Sequence, residues 1–386
     1  MSDAAPLRVC HVITGLERGG AETMLAKLCE AHDRARASFT VISLQPGPLA
    51  GRIRESGVPL LVGALSPSRL PSPRAALAIR AMLREARPQV VQGWMYHGNI
   101  AAVLLAPRGV PVAWNVRQTL YDLRSERPLT RATIRASAWL STRAAAIVYN
   151  SRVSASQHEA LGFHAARRVV IPNGFDLARF APSPAARAAL RAELGLPADA
   201  LLVGHVARLH PMKDHATLLA AAARVLAARP EVHFALAGDG VTPAALGDAA
   251  TSPALAGRLH FLGARDGMER VSAAFDVVAL TSAWGEGFPN VLGEALACGV
   301  PCVATDIGDS AAVVGDAGRL VPPRDPGALA AGLLELLGDS SLRARLGAMG
   351  RARVTAHFSM PAVADRYLRL YEAVAQGALP RDTLPT

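Results

Sequence analysis

The sequence predicts an α/β protein built from two doubly wound domains, each a parallel sheet covered by helices. Three observations predict it. Short apolar runs alternate with longer amphipathic ones along the chain, its 386 residues suffice for two ordinary domains, and its 51% hydrophobic content can fill two cores. No internal repeat or low-complexity segment interrupts the alternation.

In chain order, the strand-like runs of the first half are Val9–Thr14, Phe39–Leu44, Leu60–Val62, Val90–Gly93, Val112–Val116, Ala146–Asn150 and Arg168–Ile171. Those of the second half are Leu201–Val206, His233–Ala237, Leu259–Leu262, Val277–Thr281, Cys302–Ala304 and Arg319–Val321. Each is a short apolar run bounded by turn formers, as buried parallel strands are. Between them lie helical patterns such as Ala21–Ala31, Pro73–Glu85, Asp214–Ala228, Asn290–Cys298 and Asp325–Leu337. Asn173-Gly174 and the prolines 182 and 184 punctuate the change from one set of strands to the next. Domains of residues 1–176 and 177–360 are therefore expected. A last pattern, Pro361–Ala375 within residues 361–376, spaces Ala362, Val363, Tyr367, Leu370, Tyr371 and Val374 as one apolar helix face that must be covered.

Charge narrows the partners. The net charge of +10 belongs to the first half, where 22 Lys/Arg stand against 11 Asp/Glu; residues 177–386 hold 19 against 20. A basic surface attracts nucleic acid, phosphorylated substrates or anionic lipid alike. No zinc-finger spacing, RNA-binding signature or aromatic-interleaved basic run is present, which argues against nucleic acid. Cys10, Cys29, Cys298 and Cys302 stand in apolar contexts without paired spacing and read as buried thiols of a reducing compartment. The start reads as a polar stub and then a strand, without a basic-then-apolar leader, and the uncharged stretch from Pro88 to Pro107 carries too many polar residues to span a membrane. A cytoplasmic protein is expected.

The most informative segment runs from Ser282 to Gly308. A strand ends at Thr281, Gly285-Glu286-Gly287 occupies the loop, and Pro289 is placed to start a helix. Free amides and the positive dipole end of that helix suit a diphosphate, and glycines let backbone approach a ligand. Glu286 and Glu294 stand seven residues apart, one in the loop and one on the second helical turn, and can hold hydroxyls at two ends of an extended ligand. The plainer alternative is a capping acid and a solvated helix glutamate. A second segment, Gly204 to Asp214, puts Arg208 and Lys213 at the end of the second domain's first strand, where open α/β sheets bind ligands. Of 41 basic residues only Lys27 and Lys213 are lysine, which marks Lys213 as a position that needs a compact ammonium. In the first domain, Gly19-Gly20 follow the first strand and His97 follows the fourth.

The segment Ser282–Gly308 resembles the Glu-x7-Glu motif of retaining glycosyltransferase family 4, whose members have the GT-B fold: two Rossmann-like domains facing a cleft, with the C-terminal helix crossing back to the first. The resemblance implies that Glu286 sits against the donor sugar and Glu294 binds the ribose. It also implies that Gly287, Phe288, Pro289 and Asn290 present backbone amides to sugar hydroxyls, with the amides of Val291 and Leu292 near the distal phosphate. Arg208 and Lys213 match the cations that stabilise the departing diphosphate, the Gly19-Gly20 loop closes over the phosphates, and His97 contacts the donor sugar. Arg265, with Gly238–Gly240, falls near the nucleobase. Arg18, Asn115 and Arg117 are assigned to the acceptor side.

The expected activity is retaining transfer of a hexose or N-acetylhexosamine from a nucleotide-diphosphate sugar, UDP-linked rather than GDP-mannose, to a hydroxyl of a lipid-linked sugar in surface polysaccharide synthesis. No Asp-x-Asp pair occurs, so no metal and no cofactor are expected. Arg117, Arg124, Arg127, Arg131 and Arg135 form a basic flank suited to anionic membrane at its inner face. The alternatives are glycosylation of a small soluble metabolite, a sugar-nucleotide epimerase on the same fold, and a non-catalytic nucleotide-sugar binder.

Overall fold

The computed structural model describes residues 5–17, 19–63, 73–125 and 127–379. Two compact units form, one from the residues up to Gly174 together with those from Met360 onward, the other from Phe175–Ser359.

The first unit carries seven parallel strands: β1 (Leu7–Ile13), β2 (Ala37–Ser43), β3 (Leu60–Val62), β4 (Val90–Trp94), β5 (Val112–Val116), β6 (Ala146–Tyr149) and β7 (Arg168–Val170). Their order across the sheet is β3-β2-β1-β4-β5-β6-β7. β1 pairs in register with β2 from Leu7↔Ala37 to Ile13↔Ser43 and, on its other side, with β4 from Val9↔Val90 to Ile13↔Trp94. The order reverses between β1 and β4, so the connections leaving their carboxyl ends diverge and open a crevice there.

Helix Met360–Ala375 belongs to this unit. Its Val363, Tyr367, Leu370, Tyr371 and Val374 are buried in one core with Val9, Ile13, Leu25 and Trp94, which gives the apolar face the cover its spacing required. Polar ties fix its rotation: Arg36 pairs with Asp365 at 2.6 Å and Glu372 at 2.9 Å, and the Tyr371 hydroxyl donates to Gln92 Oε1.

The second unit has six parallel strands: β8 (Leu202–Val206), β9 (His233–Ala237), β10 (Leu259–Gly263), β11 (Val277–Leu280), β12 (Cys302–Thr305) and β13 (Gly318–Val321), ordered β10-β9-β8-β11-β12-β13. Its reversal lies between β8 and β11. Both units are Rossmann-like.

Two departures from the sequence reading have local causes. The division falls at Gly174 rather than after Asp176, because Phe175 joins the second unit: its N–H donates to Phe358 O at 2.8 Å and its ring lies against Gly293, where a Cβ would stand 2.2 Å away. A 19-residue helix, Ser340–Phe358, is absent from the sequence reading. Its inner face includes Gly347 and Gly350, whose added Cβ atoms would meet Gly299 O at 2.0 Å and Leu296 at 2.4 Å. These glycines interrupt an apolar stripe of Leu342, Leu346, Val354 and Phe358, all of them buried.

All four cysteines are free and buried. Among the described residues no helix is long and apolar enough to cross a membrane.

Candidate functional site

The carboxyl ends of β8 and β11 carry the strongest cluster of charged groups from the motif analysis. After β8 the chain is held by backbone: Ala207 N–H donates to Ala237 O at 2.9 Å and Leu209 N–H to Asp239 O at 2.8 Å. The neighbouring loop approaches so closely that a Cβ on Gly238 (φ +155°) would stand 1.9 Å from Ala207 O. Arg208, between these clamps, is exposed and has no hydrogen bond or ion pair among the described residues.

The following turn, Pro211–Lys213, is set by its flanks. His210 Nδ1 accepts from Met212 N–H at 3.2 Å, and Asp214, at φ +48°, caps helix His215–Ala228 by accepting from Thr217 N–H at 3.2 Å. Two bonds tie the turn to the loop after β11: Ala283 N–H to Met212 O at 2.8 Å and Thr281 Oγ1 to Lys213 O at 2.7 Å. The Lys213 ammonium therefore donates to Glu286 Oε1, which also accepts from Ser282 Oγ at 2.6 Å. Glu286 is only 7% exposed. Cation and acid form one partly desolvated pair, where attraction is stronger than in open water. Beneath it His205 Nε2 lies 3.1 Å from Thr281 Oγ1; burial, then the His215 and Lys213 charges, push the His205 pKa far down.

The Glu286 loop is buttressed from the strand beyond. Asp309 N–H donates to Gly287 O at 2.8 Å, and Gly308 (φ +65°) passes so near that a Cβ there would meet Glu286 O at 2.4 Å. Helix Asn290–Ala297 then begins, with Pro289 as its N-cap residue. Glu294 is half-buried on its second turn.

Several expected contacts are corrected here. Pro289 has no N–H to offer, and its carbonyl accepts Leu292 N–H at 3.2 Å, so neither supplies a free amide. The Phe288 side chain is core, stacked on Phe175 with ring centroids 6.1 Å apart. The backbone of Gly287, Phe288, Asn290 and Val291 stands at the helix entry. Arg265, beyond the edge strand β10, has its guanidinium on Glu193, with one bond of 3.0 Å, and its Nε on Leu262 O at 3.2 Å. Three of its five N–H donors are used within the protein.

In the first unit, the carboxyl ends of β1 and β4 hold the remaining residues. Gly19 is the N-cap residue of helix Gly20–Ala31, and the Glu22 carboxylate folds back to within 2.2 Å of where a Gly19 Cβ would lie; a Cβ on Gly20 would meet nothing within 4 Å. Burial raises the Glu22 pKa. His97 is exposed in the first turn of helix Met95–Leu105, and desolvation by its surroundings lowers its pKa. Gly98 brings that turn onto β1, since a Cβ would lie 2.6 Å from Val12 O. Arg18 lies outside the described residues.

Asn115 and Arg117 turn inward rather than toward an acceptor. Asn115 is fully buried; its backbone N–H and O are bracketed by the Asn99 amide at 3.2 Å each, and its Nδ2 donates to Tyr367 OH at 2.7 Å. Arg117 reaches the same hydroxyl at 2.8 Å and also donates to Asn173 Oδ1, and burial lowers its pKa. Both hold the C-terminal helix in place. Arg117 accordingly leaves the basic flank, which keeps the exposed Arg124, Arg127 and Arg135 and the half-exposed Arg131. Ser282, Gly308 and Asp309 were missed as supports of Glu286; the position of Ser282 at the strand end, four residues before the acid, was the available signal.

Two Rossmann-like units, with cations and acids gathered at the second one's strand reversal, define a glycosyltransferase of the GT-B class. The family model described as Glycosyltransferase Family 4 matches residues 18–179, and that of Glycosyl transferases group 1 matches residues 200–339. EpsF of Bacillus subtilis (strain 168), named as a glycosyltransferase, is 31% identical over 78% of this chain and 79% of its own length. The phosphatidyl-myo-inositol mannosyltransferase of Mycolicibacterium smegmatis is 37% identical over 57% of this chain and 54% of its own. Anabaena HepE, solved with UDP-glucose, superposes with a TM-score of 0.73 at 25% identity over 94% of this chain and 98% of that one. The chain belongs to glycosyltransferase family 4.

Proposed function

We propose that this glycosyltransferase moves a hexose or N-acetylhexosamine from a UDP-sugar to a hydroxyl of a lipid-linked saccharide, with retention at the anomeric carbon and without a metal. The observation that carries it is the pairing of Lys213 with Glu286 at the β8/β11 reversal, with the exposed Arg208, without an ion pair among the described residues, following β8. In this reading Arg208 and Lys213 stabilise the diphosphate as the bond from the anomeric carbon to its oxygen breaks, at about 3 kcal/mol per group. Glu286 orients the sugar and Glu294 the ribose. The acceptor oxygen bonds to the anomeric carbon on the face the diphosphate leaves, and its proton passes to a diphosphate oxygen, so no protein nucleophile is required.

HepE's complex with UDP-glucose supports the uracil donor, and the lipid-borne inositol in the name of the mycobacterial relative supports a membrane-bound acceptor. The flank Arg124, Arg127, Arg131 and Arg135, together with the exposed Leu129 and Trp139 on helix Pro128–Leu140, suits an anionic bilayer surface. The test is a thermal-shift screen of UDP-, GDP- and ADP-sugars, followed by anomeric NMR of the product formed on a lipid-diphosphate-linked sugar. Stabilisation by UDP-sugars and an α-product from an α-donor agree with the reading. Stabilisation by GDP-mannose alone replaces the donor, an inverted product removes the retaining mechanism, and transfer to soluble sugars only removes the lipid acceptor.

A further inference from the structure

The first unit has a cavity of about 570 Å³ where β5, β6 and β7 begin, the end of the sheet opposite the chemistry. It is bounded by the turn after helix Met95–Leu105, the turns entering β6 and β7, and the tail of helix Met360–Ala375. Arg108, Arg143 and Arg167 line it, each from a different turn, together with Thr142 and the apolar Val103 and Val374. No aspartate or glutamate is among the lining residues.

That composition sets these arginines apart. Arg52, Arg265 and Arg319 each sit on a glutamate, as arginines on a protein surface commonly do. Among the described residues the guanidiniums of Arg108, Arg143 and Arg167 have no hydrogen bond or ion pair, and Arg143 alone has a further contact, 5.7 Å from the Trp139 ring centre. Three cationic residues on one concave surface with no acid among its lining favour the entry of an anion. Planar guanidiniums match the oxygens of a phosphate two at a time, and three of them exceed what one carboxylate can use.

We propose that this cavity binds a ligand carrying a phosphate or diphosphate group, at a site separate from the donor and acceptor positions. β5 is five residues long, so at about 3.3 Å per residue the cavity lies roughly 17 Å from the carboxyl ends where His97 stands. The ligand does not take part in transfer; it is either a soluble phosphate ester or the headgroup of an anionic lipid.

The test titrates inorganic pyrophosphate into the full chain and reads Trp139 emission as the difference from the Trp139→Phe protein. A parallel arm uses phosphatidylglycerol vesicles against phosphatidylcholine vesicles. A saturable Trp139 change that Arg108→Gln and Arg167→Gln each weaken about tenfold, and that Arg208→Gln leaves in place, is expected. Both variants lie off helix Pro128–Leu140, so they separate the cavity from the basic flank. A response to pyrophosphate identifies a soluble ester; one confined to phosphatidylglycerol identifies a headgroup. The proposal is overturned if neither probe gives a saturable change, if Arg108→Gln and Arg167→Gln proteins with unchanged Tm respond as the parent does, or if Arg208→Gln abolishes the response.

Discussion

Lys213 reaches the Glu286 carboxylate from a three-residue turn that is itself bonded, through Met212 O and Lys213 O, to the loop bearing that acid. The pair is thus placed by backbone as well as by its own attraction. Replacing Lys213 by Ala leaves Glu286 with Ser282 alone in a nearly closed site; kcat/KM should fall about 100- to 1,000-fold. Glu286→Gln keeps the shape and should lower kcat more than it raises KM. Steady-state kinetics with the preferred sugar nucleotide check both, and a double variant no worse than the poorer single one is expected of groups acting as a unit.

Gly308 and Gly195 share φ +65° and differ in what surrounds them. Gly195→Ala meets open space and should cost only the strained backbone, about 1 kcal/mol. Gly308→Ala drives a methyl into Glu286 O and should cost about 3 kcal/mol, with activity lost beyond the loss of folded protein. Urea unfolding and activity per folded molecule separate the two effects. Equal costs for the two variants would remove Gly308 as the buttress.

Tyr367→Phe removes the hydroxyl shared by Asn115 and Arg117 and leaves a buried guanidinium with fewer partners. A loss of about 2 kcal/mol is expected, read by chemical denaturation. Activity of the folded fraction should be unchanged, because neither residue touches substrate in this arrangement; a large kcat loss would return them to the acceptor side.

His158 is buried between Ser154 O, 2.7 Å from Nδ1, and Tyr96 OH, 2.8 Å from Nε2. Nδ1 donates to the carbonyl, so Nε2 accepts from the tyrosine in the neutral ring. Burial lowers its pKa from 6.5 to about 4. The unfolded chain therefore binds the extra proton first: the stability is complete above pH 6.5 and is lost as pH falls toward 4, at roughly 1.4 kcal/mol per unit and about 3 kcal/mol in all. Denaturation of the parent and of His158→Gln across that range should show a shallower slope in the variant.

The thirteen strands were legible because a parallel strand covered on both faces is largely apolar, and runs such as Ala146–Tyr149 and Val277–Leu280 announce that locally. The glycine-bracketed Glu286, Lys213 and the amphipathic final helix were legible as short-range patterns, although the pairing of Lys213 with Glu286 was not. Helix Ser340–Phe358 was not read, although Leu342, Leu346, Val354 and Phe358 mark its buried face; Gly347 and Gly350 break that stripe where the helix closes on Gly299 and Leu296.

Sequence alone therefore determined the two-sheet architecture, the membership of glycosyltransferase family 4, and the need to cover the last helix. Tertiary structure decided what each polar side chain faces. It turned Asn115 and Arg117 onto Tyr367, engaged Arg265 with Glu193, joined Lys213 to Glu286, and gathered three arginines from separate turns around one cavity. Periodicity says which face of an element is buried. The partner of a charge is set by sheet order and loop approach, which bring together residues as far apart in the chain as 117 and 367.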